Sequence, residues 1–248
     1  MNYKSFTLII RNNEKLRSQH PTYESVPFGI LLAIVGGFLD AYTYIGRGGV
    51  FANAQTGNIV FLGIYASKGE WNQALAHLPP IVAFVLGVIV AEAIKDNSPR
   101  LFLLQWTPAI LIFEMTVLIF IGFITNTVHN SFVTVIVSFV SSVQISSFRK
   151  LVDSPYCTTM STGNLRSAFR AAYIAVTRKD RESGIRAIRF FVIIISFVSG
   201  AFLGGLLTLD FGVRAIWGAA VVLALTVVLF RVGERRRLKK YGLYVILY

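Results

Sequence analysis

The 248-residue chain is 54% hydrophobic and only 15% charged, with a mean hydropathy of +0.63 and a formal net charge of +12. About a quarter of the residues in soluble domains are charged, so this chain has too little polar surface for a soluble globule and its predicted solvent is the bilayer. Its basic residues cluster between apolar runs, which favours cytoplasmic loops facing anionic lipid over a nucleic-acid surface. The one cysteine, Cys157, excludes an intramolecular disulfide.

The N-terminal half is predicted to hold a polar arm and three spanning helices. Residues 1–26 form the arm, with a short surface helix at Tyr3–Ile10. The apolar piece Ile59–Ala66 is shorter than the about 20 residues that a crossing helix needs. The three predicted spans are Phe28–Ile45, 81–95 and 106–126.

The C-terminal half is predicted to contain three more spans, at 131–148, 190–207 and 212–230. The first of these is rich in serine, which suits close helix packing in lipid. A helical pattern also runs from Thr162 to about Val176, but Arg166 and Arg170 exclude a simple lipid-facing span. These two arginines could attract an anion at the inner mouth, although contact with lipid headgroups is the favoured interpretation.

A short motif occurs twice and indicates an internal duplication. Thr56-Gly57-Asn58 recurs as Thr162-Gly163-Asn164, 106 residues later. Phe84-Val85-Leu86-Gly87 recurs with one change as Phe197-Val198-Ser199-Gly200, 113 residues later. A tripeptide recurs by chance more easily than a tripeptide with matched flanks, so we interpret the halves as repeats.

The charge distribution predicts six spans rather than eight. With six spans and a cytoplasmic N-terminus, 21 of the 24 Lys and Arg residues lie inside, and only Arg47, Lys68 and Arg214 lie outside. If both motif segments crossed the membrane as well, Arg166 and Arg170 would lie within it. The predicted transmembrane domain is 27–231, with repeats at about 27–126 and 131–231, followed by a basic cytoplasmic tail, 232–248.

Three spans per repeat is an odd number, so the second repeat must enter the membrane from the opposite side. The sequence therefore predicts an all-α integral membrane protein made of two inverted-topology repeats, each with a re-entrant or half-helix motif segment. Both termini are predicted to be cytoplasmic. Many secondary transporters have this architecture and bind their substrate at the midplane.

The chemistry of the motif suits the start of a half-helix. Thr can cap free backbone amides, Gly allows an unusual backbone angle, and Asn offers both a donor and an acceptor. If both loops fold back into the membrane, two helix N-termini meet near its centre and favour a polar or anionic ligand. The alternative is that both are ordinary surface turns.

Further polar residues lie within the predicted spans. Asp40 is costly in lipid unless partnered, so it is a ligand-binding candidate; the alternative is an interfacial pair with Arg47. Glu114 lies deep in the third span, and Gln144 in the fourth could line the same cavity or bond across helices. The predicted ligand-binding residues are Asp40, Thr56, Gly57, Asn58, Glu114, Gln144, Thr162, Gly163 and Asn164.

Two stretches carry a resemblance to a known family. Gly36-Gly37-Phe38-Leu39-Asp40-Ala41 with Gln55-Thr56-Gly57-Asn58, and again Thr158 to Asn164, resemble the YoaK-like family of bacterial membrane proteins, which have about six helices and no known function. The likeness covers about residues 27–231. It implies the inner membrane of a bacterium, and it implies neither a substrate nor catalytic residues.

The predicted function is transport of a small molecule or ion through a midplane site. The alternatives are a passive channel with paired re-entrant loops, and a non-transporting membrane scaffold. An intramembrane enzyme is the poorest interpretation, because the sequence shows no nucleophile–base pair, metal-ligand spacing or nucleotide-binding loop, and no cofactor is expected. The expected partners are an unidentified substrate, anionic lipid at the basic loops and, in a homo-oligomer, a second copy of the chain.

Overall fold

The computed structural model describes residues 21–97, 103–125, 128–152, 154–159 and 161–240, so the surface helix predicted at Tyr3–Ile10 lies outside the described residues. The described chain is almost entirely helical, as predicted. Its helices are α1 (Val26–Gly46), α2 (Gln55–Ser67), α3 (Trp71–Ala76), α4 (Leu78–Asn97), α5 (Leu103–Ile121), α6 (Asn130–Ser147), α7 (Ser161–Thr177), α8 (Arg181–Phe211) and α9 (Ile216–Lys240).

Several boundaries differ from the predicted ones for local reasons. Helix α4 starts at Leu78 because the two following prolines fall in its first turn, where a missing amide costs nothing. Helix α8 starts nine residues before the predicted 190, at a cap in which the Asp180 side chain accepts from the amides of Glu182 and Ser183. Helix α9 continues to Lys240 and so enters the predicted tail.

Several small elements were not predicted, among them a short helix and a hairpin. The short helix α3 joins α2 to α4. A two-residue antiparallel hairpin, β1 (Lys150–Leu151) and β2 (Ser154–Pro155), leads from α6 towards the second motif. Both are too short to carry a period that hydrophobic patterning could detect.

Four stretches of the described chain are long and apolar enough to cross a membrane. They are Val26–Gly46, Trp71–Asp96, Asn130–Ser147 and Arg181–Arg237. The last has 57 residues and contains both α8 and α9, which a 3-10 turn separates at Gly212–Ala215. Gly212 has a φ of 57°, a left-handed conformation that glycine adopts without strain. Trp106–Ile121, within α5, is apolar but shorter.

Three of the four most extensive helix pairs join the two halves of the chain. Helix α1, the first of the N-terminal half, packs mainly on α8. Helix α6, the first of the C-terminal half, packs mainly on α4. The last helices of the two halves, α5 and α9, pack on each other.

The repeated Phe-Val-x-Gly sequence lies at these exchanged contacts. A Cβ on Gly200 of α8 would overlap the backbone carbonyl of Ile34 on α1. A Cβ on Gly87 of α4 would overlap the carbonyl of Phe139 on α6 and the Ser142 side chain. Both glycines therefore allow two helix backbones to approach closely, which is how helices associate where lipid removes the hydrophobic driving force.

Candidate functional site

One face of α1 carries a polar stripe through the interior of the protein. Gly36, Asp40, Thr43 and Arg47 are spaced by four, three and four residues, so they lie above one another on the helix. Asp40 is 4% exposed, Thr43 0% and Arg47 1%. Helix α1 has 21 residues, which places Gly36 at its middle and Arg47 just past its end.

The first motif loop, residues 50–54, lies along this stripe and is bonded to it. The Asp40 Oδ1 atom accepts hydrogen bonds from the amides of Asn53 (2.7 Å) and Ala54 (3.3 Å). The Thr43 hydroxyl accepts from the Ala52 amide at 3.1 Å. Asp40 thereby satisfies the amides just before α2 and places a carboxylate at the positive end of that helix.

This arrangement corrects the role predicted for the motif threonines. Ala54 is the N-cap residue of α2, and its side chain forms no capping hydrogen bond. Thr56 is the second residue of α2 and is exposed, and Thr162 has the same place in α7. The acceptor for the start of α2 comes from another helix, which local sequence reasoning could not identify.

The motif asparagines bind their own loops. Asn58 accepts from the amide of Phe51 (3.0 Å) and donates to its carbonyl (2.8 Å). Asn164 accepts from the amide of Cys157 (3.4 Å) and donates to its carbonyl. Both asparagines therefore bond to the residue seven positions earlier, and among the described residues neither bonds to the other. These side-chain bonds stabilise the loops without a ligand.

The two motif loops meet at Gly36. From the first loop, the Asn53 side-chain amide donates to the Gly36 carbonyl at 3.2 Å. From the second motif loop, residues 156–159, the Thr159 methyl group packs where a Cβ of Gly36 would lie. Asn53 and Thr159 are 106 residues apart, the same spacing as the two motifs. The duplicated loops thus converge at the middle of α1.

Several buried polar atoms around this meeting point have no hydrogen-bond partner among the described residues: Asp40 Oδ2, Asn53 Oδ1 and Thr158 Oγ1. Buried polar atoms are normally paired, and unpaired ones often mark a place where an ion, water or ligand belongs. Sequence reasoning missed Asn53, Thr158 and Thr159. Applying the 106-residue spacing to the positions before the motif would have paired Asn53 with Thr159.

Glu114 and Gln144 form a separate polar cluster between α5 and α6. The Ser141 hydroxyl donates to Glu114 Oε1 at 3.4 Å, and Glu114 is 1% exposed. Gln144 lies beside the Glu114 carboxyl, one turn after Ser141. No hydrogen bond among the described residues joins this cluster to Asp40, so the structure brings together Asp40 and the loops but does not link them directly to Glu114.

Arg47 does not pair with Asp40, which corrects the alternative considered for that carboxylate. Its Nε donates to the Tyr42 hydroxyl at 3.1 Å, and its Nη2 donates to the Ile124 carbonyl at 3.0 Å. The Tyr42 hydroxyl donates in turn to the Val213 carbonyl at 3.1 Å. Arg47 therefore ties the end of α1 to the segments that follow α5 and α8, while Asp40 holds the first motif loop.

The chain is similar to proteins of one family over most of its length. The model of the family described as "Protein of unknown function (DUF1275)" matches residues 28–229. The chain is 26% identical over 205 residues to "UPF0700 transmembrane protein YoaK" of Bacillus subtilis (strain 168), a match that covers 78% of this chain and 88% of that protein. No solved structure matches the chain significantly. These matches confirm the resemblance carried by the two motif stretches.

Proposed function

We propose a transport function for this chain, which belongs to the DUF1275 family of membrane proteins: it carries a small molecule or ion through a binding site near the middle of the bilayer. The observation that supports this most strongly is the convergence of both duplicated loops on Gly36. Irregular backbone at membrane depth is tolerated where protein buries it or where it lines a cavity. Two such loops at one point are the arrangement that many transporters use for substrate binding.

The proposed architecture has six spans in two inverted repeats. The exchange of helix partners between the halves supports a two-fold relation, since α1 packs on α8 in the way that α6 packs on α4. The equivalent glycines, Gly87 and Gly200, lie at these two contacts. Folding the run Arg181–Arg237 into two spans and counting the shorter α5 gives six. The 21-to-3 distribution of basic residues supports cytoplasmic termini in the inner membrane.

Asp40 is the proposed coupling residue. One of its oxygens holds the first motif loop, and the other has no partner among the described residues. A proton or cation bound by the second oxygen reduces the negative charge on the carboxylate. The hydrogen bonds that the Asn53 and Ala54 amides donate to it then become weaker. Occupancy of Asp40 and the position of the first motif loop are then linked, which a carrier requires and a passive pore does not.

The passive channel is the second candidate, with the two motif loops as its constriction. Asp40, Asn53, Thr159 and Gly36 are all buried, so the meeting point of the loops is closed in this conformation. A carrier closes around its binding site, occupied or empty, during each transport cycle. Rate separates the two: a carrier saturates at low turnover, and a channel conducts much faster without coupling. We assign no enzymatic activity and no nucleic-acid partner to the chain.

The transport proposal is tested by uptake into proteoliposomes. A panel of labelled amino acids, nucleosides, sugars and organic acids is assayed with and without a proton or sodium gradient. We expect saturable, gradient-dependent uptake of one chemical class, and its loss or uncoupling in Asp40→Asn, which keeps the size of the side chain but removes its charge. Asp210→Asn is the matched control, because Asp210 is exposed near the end of α8. Full uptake by a well-folded Asp40→Asn protein would remove Asp40 from the mechanism.

The inverted topology is tested by labelling single cysteines. Lys68→Cys lies just after α2 and Arg178→Cys just after α7, and both positions are exposed. In a Cys157→Ser background, an impermeant thiol reagent should reach Lys68→Cys only from outside and Arg178→Cys only from inside. Labelling of both positions from one side would contradict the inverted repeat and, with it, the main support for transport.

A further inference from the structure

An open pocket of about 460 Å³ lies beside the end of α1 that carries Arg47. Its wall includes Arg47, Ala76 and the start of α6: His129, Asn130, Ser131 and Thr134. None of the described residues that line it is an Asp or a Glu. Its volume falls within the range of small-molecule sites, which is about 300–1,000 Å³.

Arg47 is a buried cation whose described partners are all neutral. Its side chain is 1% exposed, and its guanidinium donates to a phenol and to a backbone carbonyl. The third nitrogen, Nη1, is buried and has no partner among the described residues. Arginine stays protonated in proteins, so it cannot escape this cost by losing its charge. A buried charge is stabilised by an opposite charge, and the described residues around the pocket supply none.

The N-terminus of α6 adds positive potential to the same pocket. Helix α6 has 18 residues and begins at Asn130. The first amides of a helix have no acceptor within it, and its aligned peptide dipoles place partial positive charge at that end. His129 accepts from the Ser131 amide, but the Asn130 side chain and the Ser131 hydroxyl also line the pocket as donors. The pocket therefore joins a buried arginine to a helix N-terminus with no acid between them.

From this juxtaposition we infer that the pocket binds a small oxyanion, of the carboxylate or phosphate type, with Arg47 Nη1 as its principal donor. Arg47 is seven residues after Asp40 on the same face of α1, a separation of about 10 Å along the helix. On the transport function proposed above, an anion held there would lie between one membrane surface and the meeting point of the motif loops. Its role as the substrate on its way to that site rests on the proposed function; its binding does not.

The test is thermal unfolding of the purified full-length protein in detergent. Inorganic phosphate, acetate and succinate are each titrated at constant ionic strength, with potassium chloride as the reference salt. A ligand that binds only the native state raises the Tm in proportion to the logarithm of its concentration, and we expect a rise of about 5 °C or more near saturation for at least one oxyanion. The Arg47→Gln protein should lose this rise. Arg214→Gln should keep it, because Arg214 is an exposed arginine in the turn after α8 and does not line the pocket.

A second variant keeps the test decisive if Arg47→Gln fails to fold. Ala76→Phe fills the pocket and leaves the bonds of Arg47 to Tyr42 and Ile124 in place, so it should lower the oxyanion affinity at least tenfold. The inference is overturned if no oxyanion raises the Tm of the unsubstituted protein above the chloride reference. It is also overturned if the rise persists in Ala76→Phe.

The outcome is separable from that of the transport proposal. If uptake fails in every assay but the oxyanion response disappears in the Arg47 or Ala76 variant, the pocket stands as a binding site without transport. If Asp40→Asn abolishes uptake but every protein lacks the oxyanion response, transport stands and the anion site does not.

Discussion

Asn58 bonds to the backbone of Phe51 in the first motif loop, and Asn164 bonds to the backbone of Cys157 in the second. The two bonds span the same seven residues, so the duplicated asparagine makes the same closure in both halves of the chain. This similarity does not extend to the glycine that precedes each asparagine. A Cβ on Gly57 would lie 2.8 Å from the Phe51 ring, whereas a Cβ on Gly163 would meet no described atom within 4 Å.

The residues that surround the two loops also differ. The Phe51 ring stacks on Tyr44, with centroids 4.8 Å apart, and belongs to a group of rings that continues through Phe61 to His77. His77 also lies 3.3 Å from the Asn58 oxygen. The second loop has a cysteine at the equivalent position, and no acidic residue corresponds to Asp40, since Ser146 stands 106 residues after it. The two motif segments thus share the loop closure by asparagine, while the ring packing and the acidic residue described here belong to the first segment.

The largest expected effect is a loss of stability when alanine replaces Gly200 or Gly87. The two substitutions test whether the α1–α8 and α4–α6 contacts are equivalent. Gly200→Ala places a Cβ against the Ile34 backbone, and Gly87→Ala places one against Phe139 and Ser142. Because a backbone cannot give way as a side chain does, each should lower the free energy of unfolding by about 3 kcal/mol, at the upper end of the usual cost of overpacking. Unfolding in a denaturing detergent measures the change.

The control for this pair is Gly63→Ala in α2, where an added Cβ meets nothing within 4 Å. It should be neutral or slightly stabilising, because alanine favours a helix over glycine by about 1 kcal/mol. Full tolerance of alanine at Gly200 with loss of stability at Gly87 would show that the two crossings are not equivalent.

The asparagine closures are expected to give the next largest effect. Asn58→Ala and Asn164→Ala each remove the partner of a backbone amide and carbonyl, and we expect each substitution to lower the free energy of unfolding by about 1–3 kcal/mol. Asn58 should cost more, because it also donates to Gln55 Oε1 at 2.8 Å and lies beside His77. The Tm values of the two variants decide the order. Asn72→Ala, at an exposed position of α3, is the control, and an equally large loss there would mean that the assay does not report on the loops.

How far the sequence predicted these features depends on the range of the interactions involved. The helices follow from apolar runs, which are local, and α1 and α6 were predicted to within about two residues. The beginning of α8 was placed too late because Arg186 and Arg189 interrupt the apolar pattern, although both residues are helical. Polar residues on one exposed helix face are compatible with a helix that extends beyond the lipid.

The candidate site was predictable in position but not in its bonds. The recurring motif directed attention to the two motif segments, and Asp40 is bonded to the loop that precedes the first of them. The partners of Asp40 are the amides of residues 53 and 54, and those of the asparagines are carbonyls and amides seven residues away. Backbone groups are the same in every residue, so no residue pattern identifies them as partners. The pairing of Arg47 with Tyr42 and Ile124 depends on the ends of three helices meeting, which is a property of the tertiary fold.

The smallest expected effect separates the two motif glycines. Gly57→Ala should displace the Phe51 ring and cost about 1 kcal/mol or more, because an overpacked side chain must shift. Gly163→Ala should instead stabilise the protein by up to about 1 kcal/mol, since the position is open and helical. Opposite signs of the change in Tm would confirm that the motif glycine has diverged in role. Equal losses would indicate a shared requirement for glycine, such as contact with a ligand.

Helix α8 is longer than a membrane crossing needs. Its 31 residues extend about 46 Å, against a hydrocarbon thickness of about 30 Å, so roughly the first ten residues project beyond it. That projecting part carries Arg181, Arg186 and Arg189. Sliding α8 along its own axis towards the other surface would draw these guanidinium groups into hydrocarbon, at a cost of several kcal/mol. The basic end therefore opposes sliding of α8 along its axis. On the transport function proposed above, we expect this helix to tilt about the Gly200 crossing instead of sliding.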